Sequence, residues 1–127
     1  MVGLPLGVAA GVAPTPNEES LDVRVETIDG RKLKQTLARG RGRFLVLFTA
    51  SWCGYCRRLR EDMLQVRLGL RTVEVDVSDE EDPAWDDWHV EIVPTAVLFR
   101  DGTEVSRRTP TIRGLSLDDL RALAAQH

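Results

Sequence analysis

The chain has 127 residues, 43% of them hydrophobic, enough for one core that buries roughly two thirds of the surface the unfolded chain would expose. With 17 basic and 20 acidic side chains the formal net charge is -3, which argues against nucleic acid as an electrostatic partner. Two cysteines three positions apart, Cys53 and Cys56, with His89 and His127 as the remaining soft donors, exclude a framework of structural disulfides and leave a zinc site within one chain without a credible ligand set.

Met1 to Asn17 carries no charge but is broken by Pro5, Pro14 and Pro16 and is too short to span a bilayer. The first Arg is Arg24, so the apolar part has no basic flank of the kind a secretory signal needs. Residues 1–20 read as a disordered lead, with a trimmed export signal or an artificial leader as alternatives, and 21–127 as the folded domain. Cytoplasmic and exported (periplasmic) locations both stay open.

Leu21 to Ile28 alternates apolar and charged residues, the period of a strand with one buried face, and Asp29-Gly30 reads as a turn. Lys32 to Arg39 can form a short helix on Leu33 and Leu37, ended by Gly40 to Gly42. Phe44 to Thr49 is nearly all apolar, the mark of a central strand covered on both faces. Cys56 to Val66 sets Leu59, Met63 and Val66 at helical spacing. Thr72 to Val77, with Val73, Val75 and Val77 on one side, reads as a second central strand. The acidic Asp79 to Trp88, interrupted by Pro83, allows a loop and a helical turn. Thr95 to Arg100, Asp101-Gly102 and Thr103 to Arg107 read as a hairpin, and Ser116 with Asp119 makes a capping box for a last helix on Leu117, Leu120 and Leu123. This order predicts an α/β domain: a central mixed sheet of four to five strands, parallel pairing first and antiparallel pairing last, flanked by helices. The chain is expected to be a monomer.

The chemistry lies where the first central strand meets the helix, at Trp52-Cys53-Gly54-Tyr55-Cys56. Disulfide exchange needs one thiolate that attacks and a second thiol that releases the mixed disulfide. A CxxC at a helix start supplies both: unpaired backbone N–H groups and the helix dipole favour an anion on the first sulfur, while the second lies a turn inside. No organic cofactor or metal is needed.

Phe48-Thr49-Ala50-Ser51-Trp52-Cys53-Gly54-Tyr55-Cys56-Arg57 resembles the active-site signature of thioredoxins, and Trp88 to Thr95 resembles that family's segment around a cis-proline. The resemblance covers about Asp22 to Gln126 and implies the thioredoxin fold and a thiol–disulfide oxidoreductase acting on protein disulfide or dithiol substrates, with a redox partner to recycle it. It implies Cys53 as the attacking and Cys56 as the resolving cysteine, with Trp52 flanking the site, Val93 and a cis Pro94 forming the wall on which substrate docks, and Gly54 and Tyr55 among the substrate-binding residues. Gly-Tyr between the cysteines is similar to the motifs of periplasmic disulfide isomerases and glutaredoxins, whose couples are more oxidising than thioredoxin's.

The chain departs from the family at two positions. Thioredoxins carry a buried Asp where this chain has Leu47, and a Lys on the next strand near Thr72, so the pair that assists proton removal from the resolving thiol is missing. Glu61 and Glu74 are the candidate substitutes, each expected at the surface. Trp85 and Trp88 are expected as packing anchors and His89 as a loop residue. Two other functions would use the same residues: a binding module holding a thiol or metal at the Pro94 face, and a sensor whose Cys53–Cys56 state switches a partner interaction.

Overall fold

The computed structural model describes residues 25–126; the expected lead and the first four residues of the predicted 21–28 strand lie outside them. The described strand is β1, Glu26–Asp29. Asp29-Gly30 does not make a free turn. Asp29 caps helix α1 (Gly30–Arg39), its side chain accepting from the Lys32 amide, and the Gly30 amide donates to buried Asp82 at 3.0 Å. A Cβ on Gly30 would overlap Asp82 and Ala84, so glycine is required here by close approach, and α1 starts two residues earlier than its apolar spacing predicts.

Strand β2 (Arg43–Thr49) leads into helix α2 (Gly54–Met63). Strand β3 (Arg71–Asp76), the single turn of α3 (Ala84–Asp87), the hairpin of β4 (Thr95–Arg100) and β5 (Thr103–Arg108), and helix α4 (Leu117–Ala124) follow. The sheet order is β1-β3-β2-β4-β5. Both neighbours of β3 are parallel to it, and β4 is antiparallel to β2 and β5, the predicted mixture. Helix α2 begins and ends earlier than predicted because Cys53 takes the cap position and Leu64 closes the helix, which leaves Val66 past its end. Ser116 and Asp119 form the capping box of α4.

The sheet separates two apolar layers. On one side Leu33 and Leu37 of α1 and Ala84 of α3 pack with Phe44, Val46, Phe48, Val73, Val75, Val97 and Phe99. On the other, Leu59 and Met63 of α2 and Leu120 and Leu123 of α4 pack with Leu45, Leu47, Ala96 and Leu98. Trp88 meets Phe99 edge-on at 5.4 Å, and the Trp85 indole donates to the carbonyls of Val77 and Asp79, so both tryptophans anchor packing. His89 follows α3 with a left-handed φ of 54°. β2 therefore sits mid-sheet, and its C-terminal end is fixed on both faces before α2 starts.

Candidate active site at the start of helix α2

Cys53 is the N-cap of α2, a position at which the first turn's N–H groups have no helical acceptor. Its Sγ accepts from the Cys56 amide at 3.1 Å and donates, as a thiol, to the Val93 carbonyl at 3.7 Å. The Val93-Pro94 bond is cis, and this segment forms the wall opposite the sulfur. Cys53 is 8% exposed and Cys56 fully buried, and both are free thiols. The two sulfurs thus differ as the spacing predicts: one at the surface end of the helix, one inside.

Around Cys53 the surface is apolar. Trp52 and Tyr55 are exposed, as are Ile92 and Ile112. The Trp52 indole donates to the Ser78 carbonyl at 3.1 Å, and the Tyr55 hydroxyl to the Ile112 carbonyl at 3.2 Å, so both rings are tethered through their polar atoms. Arg58 lies over the Tyr55 ring at 5.7 Å. Gly114, at φ +89°, leaves room for that ring, which a Cβ would strike at 2.6 Å. Gly54 faces open space. All five residues named with the cysteines, Trp52, Gly54, Tyr55, Val93 and Pro94, lie around this rim. Ile112, 92% exposed, is the neighbour that sequence reasoning missed; an isolated apolar residue in a loop carries no periodic signal.

Behind the cysteines the structure corrects one expectation. Glu61 is at the surface, but Glu74 is only 4% exposed. Its carboxylate accepts from the Thr49 hydroxyl at 2.7 Å and the Thr27 hydroxyl at 3.2 Å. It also accepts from Arg60 Nε and Nη2, at 2.9 and 2.5 Å. Glu74 stands opposite Leu47 in the β2–β3 register, so this chain supplies a buried carboxylate from the neighbouring strand while the Leu47 position stays apolar. The strand is covered on both faces, which denies Glu74 a surface and requires that it be paired.

The Cys56 thiol is pushed up from 9.0 to about 12, first by burial, then by its hydrogen bond to Cys53. A hydrogen bond with the Ala50 backbone and the charge of Arg60 act the other way. Arg60 itself is raised, chiefly by its hydrogen bonds to Glu74. Among the described residues no group of three or more His, Cys, Asp or Glu side chains could hold a metal.

The family model for thioredoxin matches residues 24–122. The chain belongs to the thioredoxin family. It is 32% identical over 114 residues to an H-type thioredoxin of Fagopyrum esculentum, covering 87% of this chain and 94% of that one. It is 34% identical over 90 residues to a thioredoxin of Chlamydia caviae, covering 68% and 83%. Among solved structures it is similar to Chlamydomonas reinhardtii thioredoxin f2, with a TM-score of 0.70, 25% identity, and 82% and 96% of the two chains covered. Membership in the thioredoxin family makes the protein a thiol–disulfide oxidoreductase, and the cysteine pair at the start of α2 is its CxxC site.

Proposed function

We propose that the protein exchanges disulfides with protein substrates, Cys53 attacking and Cys56 resolving, and that a separate dithiol or disulfide protein recycles it. The observation that carries this reading is the asymmetry of the two sulfurs: Cys53 sits at the helix cap under an open apolar rim, Cys56 is sealed behind it. The Cys53 sulfur, at the helix cap where it accepts from the Cys56 amide, attacks a substrate sulfur as a thiolate, in line with the S–S bond, and expels a substrate thiolate. Cys56 loses its proton to water, attacks Cys53 Sγ, and frees the second substrate thiolate as the Cys53–Cys56 disulfide forms. Two electrons pass to the substrate.

Trp52, Gly54, Tyr55, Val93 and Pro94 give an extended substrate segment an apolar seat. The Val93 carbonyl, already within reach of Cys53 Sγ, orients the thiol before attack. Catalytic reduction of a protein disulfide by the reduced chain tests this reading. The expected result is turnover in the wild type and none in Cys53→Ser; activity retained by Cys53→Ser contradicts it.

A further inference from the structure

The chain has a buried charged network that the exchange reaction just described does not use. Glu74 reaches it from β3, Thr49 from the end of β2, Thr27 from β1 and Arg60 from α2. Arg60 follows Cys56 by four residues on α2, the spacing that sets two side chains side by side along a helix. Its side chain is 44% exposed, while that of Glu74 is buried, so the arginine is a surface residue tied down by a carboxylate beneath it. Both Glu74 oxygens are occupied, one by Thr27 and Arg60, the other by Thr49 and twice by Arg60. A carboxylate so saturated has no lone pair aimed at a thiol proton, and its bound cation opposes uptake of one. Glu74 is therefore not a replacement proton acceptor.

We propose that Arg60, anchored by Glu74, is an electrostatic positioning residue for the resolving step, holding positive charge beside Cys56 when that thiol ionises within the mixed disulfide. The inference rests on the dithiol reading above. The balance of effects on Cys56 supports it. The charged and titratable groups acting on this thiol are Cys53 and Arg60, with Glu74 and Asp76 of β3 acting on Arg60 in turn; just past β2 the Ala50 backbone is hydrogen-bonded to the thiol. Once Cys53 is in a mixed disulfide it is no longer a thiol, and its hydrogen bond and its charge, which both push Cys56 up, vanish. Burial then remains on one side, with the Ala50 backbone and Arg60 on the other. Cys56 ionises as its proton passes to water, its sulfur attacks Cys53 Sγ, the Cys53–substrate S–S bond breaks, and the substrate leaves as a thiolate. Where other thioredoxins use a buried acid to receive the proton, this chain uses a tethered cation to favour the anion.

A symmetric aromatic disulfide with a coloured thiolate leaving group separates the two steps, because its first release reports Cys53 attack and its second reports Cys56 resolution. The double variant Arg60→Gln Glu74→Gln removes both charges while keeping hydrogen-bonding groups for both threonines. Its second release is expected to slow about three- to tenfold near neutral pH, the range set by a nearby charge that is half exposed to solvent. Its pH–rate curve should move to higher pH, with the first release unchanged and Arg60→Lys close to the wild type. Glu74→Gln alone leaves an amide oxygen to accept from one threonine hydroxyl and an NH2 to donate to the other, and strands no buried charge, so it is expected to fold even if the double variant does not; by loosening Arg60 it should slow the second release about twofold or more. A folded variant pair with wild-type second-phase rate and pH profile overturns the role of Arg60, and a faster second phase in Glu74→Gln overturns the anchoring. A wild type that releases no thiolate at all overturns the dithiol reading itself.

Discussion

The front and the back of the cysteine pair are built by different means. In front, Cys53 is positioned by the backbone: the cap of α2, the Cys56 amide and the Val93 carbonyl. Behind, the charge that acts on Cys56 is Arg60, and it is held by side chains brought from separate strands: Glu74, which in turn accepts from Thr49 and Thr27. The front depends on chain geometry that a short motif specifies. The back depends on which residues the sheet register places opposite each other, and it can be rebuilt with different residues while the front stays the same.

The comparison is broken most severely by removing the buried sulfur. Cys56→Ser should still attack through Cys53 but hold the substrate as a stable mixed disulfide, detectable as a mass adduct on the Cys53 peptide, with multiple turnover lost. Rapid release of substrate by this variant would mean that Cys56 is not the resolving group. Next in size is the stranding of Glu74. Arg60→Met leaves a buried carboxylate with only two hydroxyl donors, and urea unfolding should show a loss of roughly 2–3 kcal/mol, at the low end for a broken buried pair because Arg60 is half exposed. Glu74→Gln, which leaves the exposed arginine free to reach solvent, should lose less.

The buried thiol also sets a pH limit. Folding raises Cys56 from 9.0 to about 12; below the lower value folded and unfolded chains both keep the proton, and the full stability is present. Above it the unfolded chain ionises first, so stability of the reduced protein should fall by up to about 1.4 kcal/mol per pH unit, relative to Cys56→Ala, until the folded thiol titrates. A reduced protein that parallels Cys56→Ala across this window would show that Cys56 is not sealed. The smallest effect sharpens the front: Gly114→Ala meets both a left-handed φ and the Tyr55 ring, and should cost about 1–2 kcal/mol in thermal or urea unfolding. It should also displace Tyr55, read as a change in tyrosine fluorescence.

Much of the front was legible because its signals are local. An apolar run into CxxC marks a strand-to-helix junction, Asp101-Gly102 marks a hairpin, and Ser116 with Asp119 marks a helix start. Boundaries slipped where a distant residue took part: α1 begins early because Asp82 receives the Gly30 amide across 52 positions. The back was partly legible too. Thr72 to Val77 reads as a central strand, but the carboxylate alternating with Val73 and Val75 on it is expected at the surface, and only the cover on both faces of the strand shows that it is buried. What local pattern does not contain is the partner, since Arg60 and Glu74 meet only once β2, β3 and α2 are stacked. Ile112 left no signal because one apolar residue in a loop has no period.

The two sulfurs have unequal roles, and alkylation of the reduced protein with less than one equivalent of reagent near neutral pH tests this most directly. Peptide mapping should find the label on Cys53, the thiol at the open helix cap, with Cys56 unmodified until Cys53 is consumed. Preferential labelling of Cys56 in the folded protein would contradict the assignment of attack and resolution.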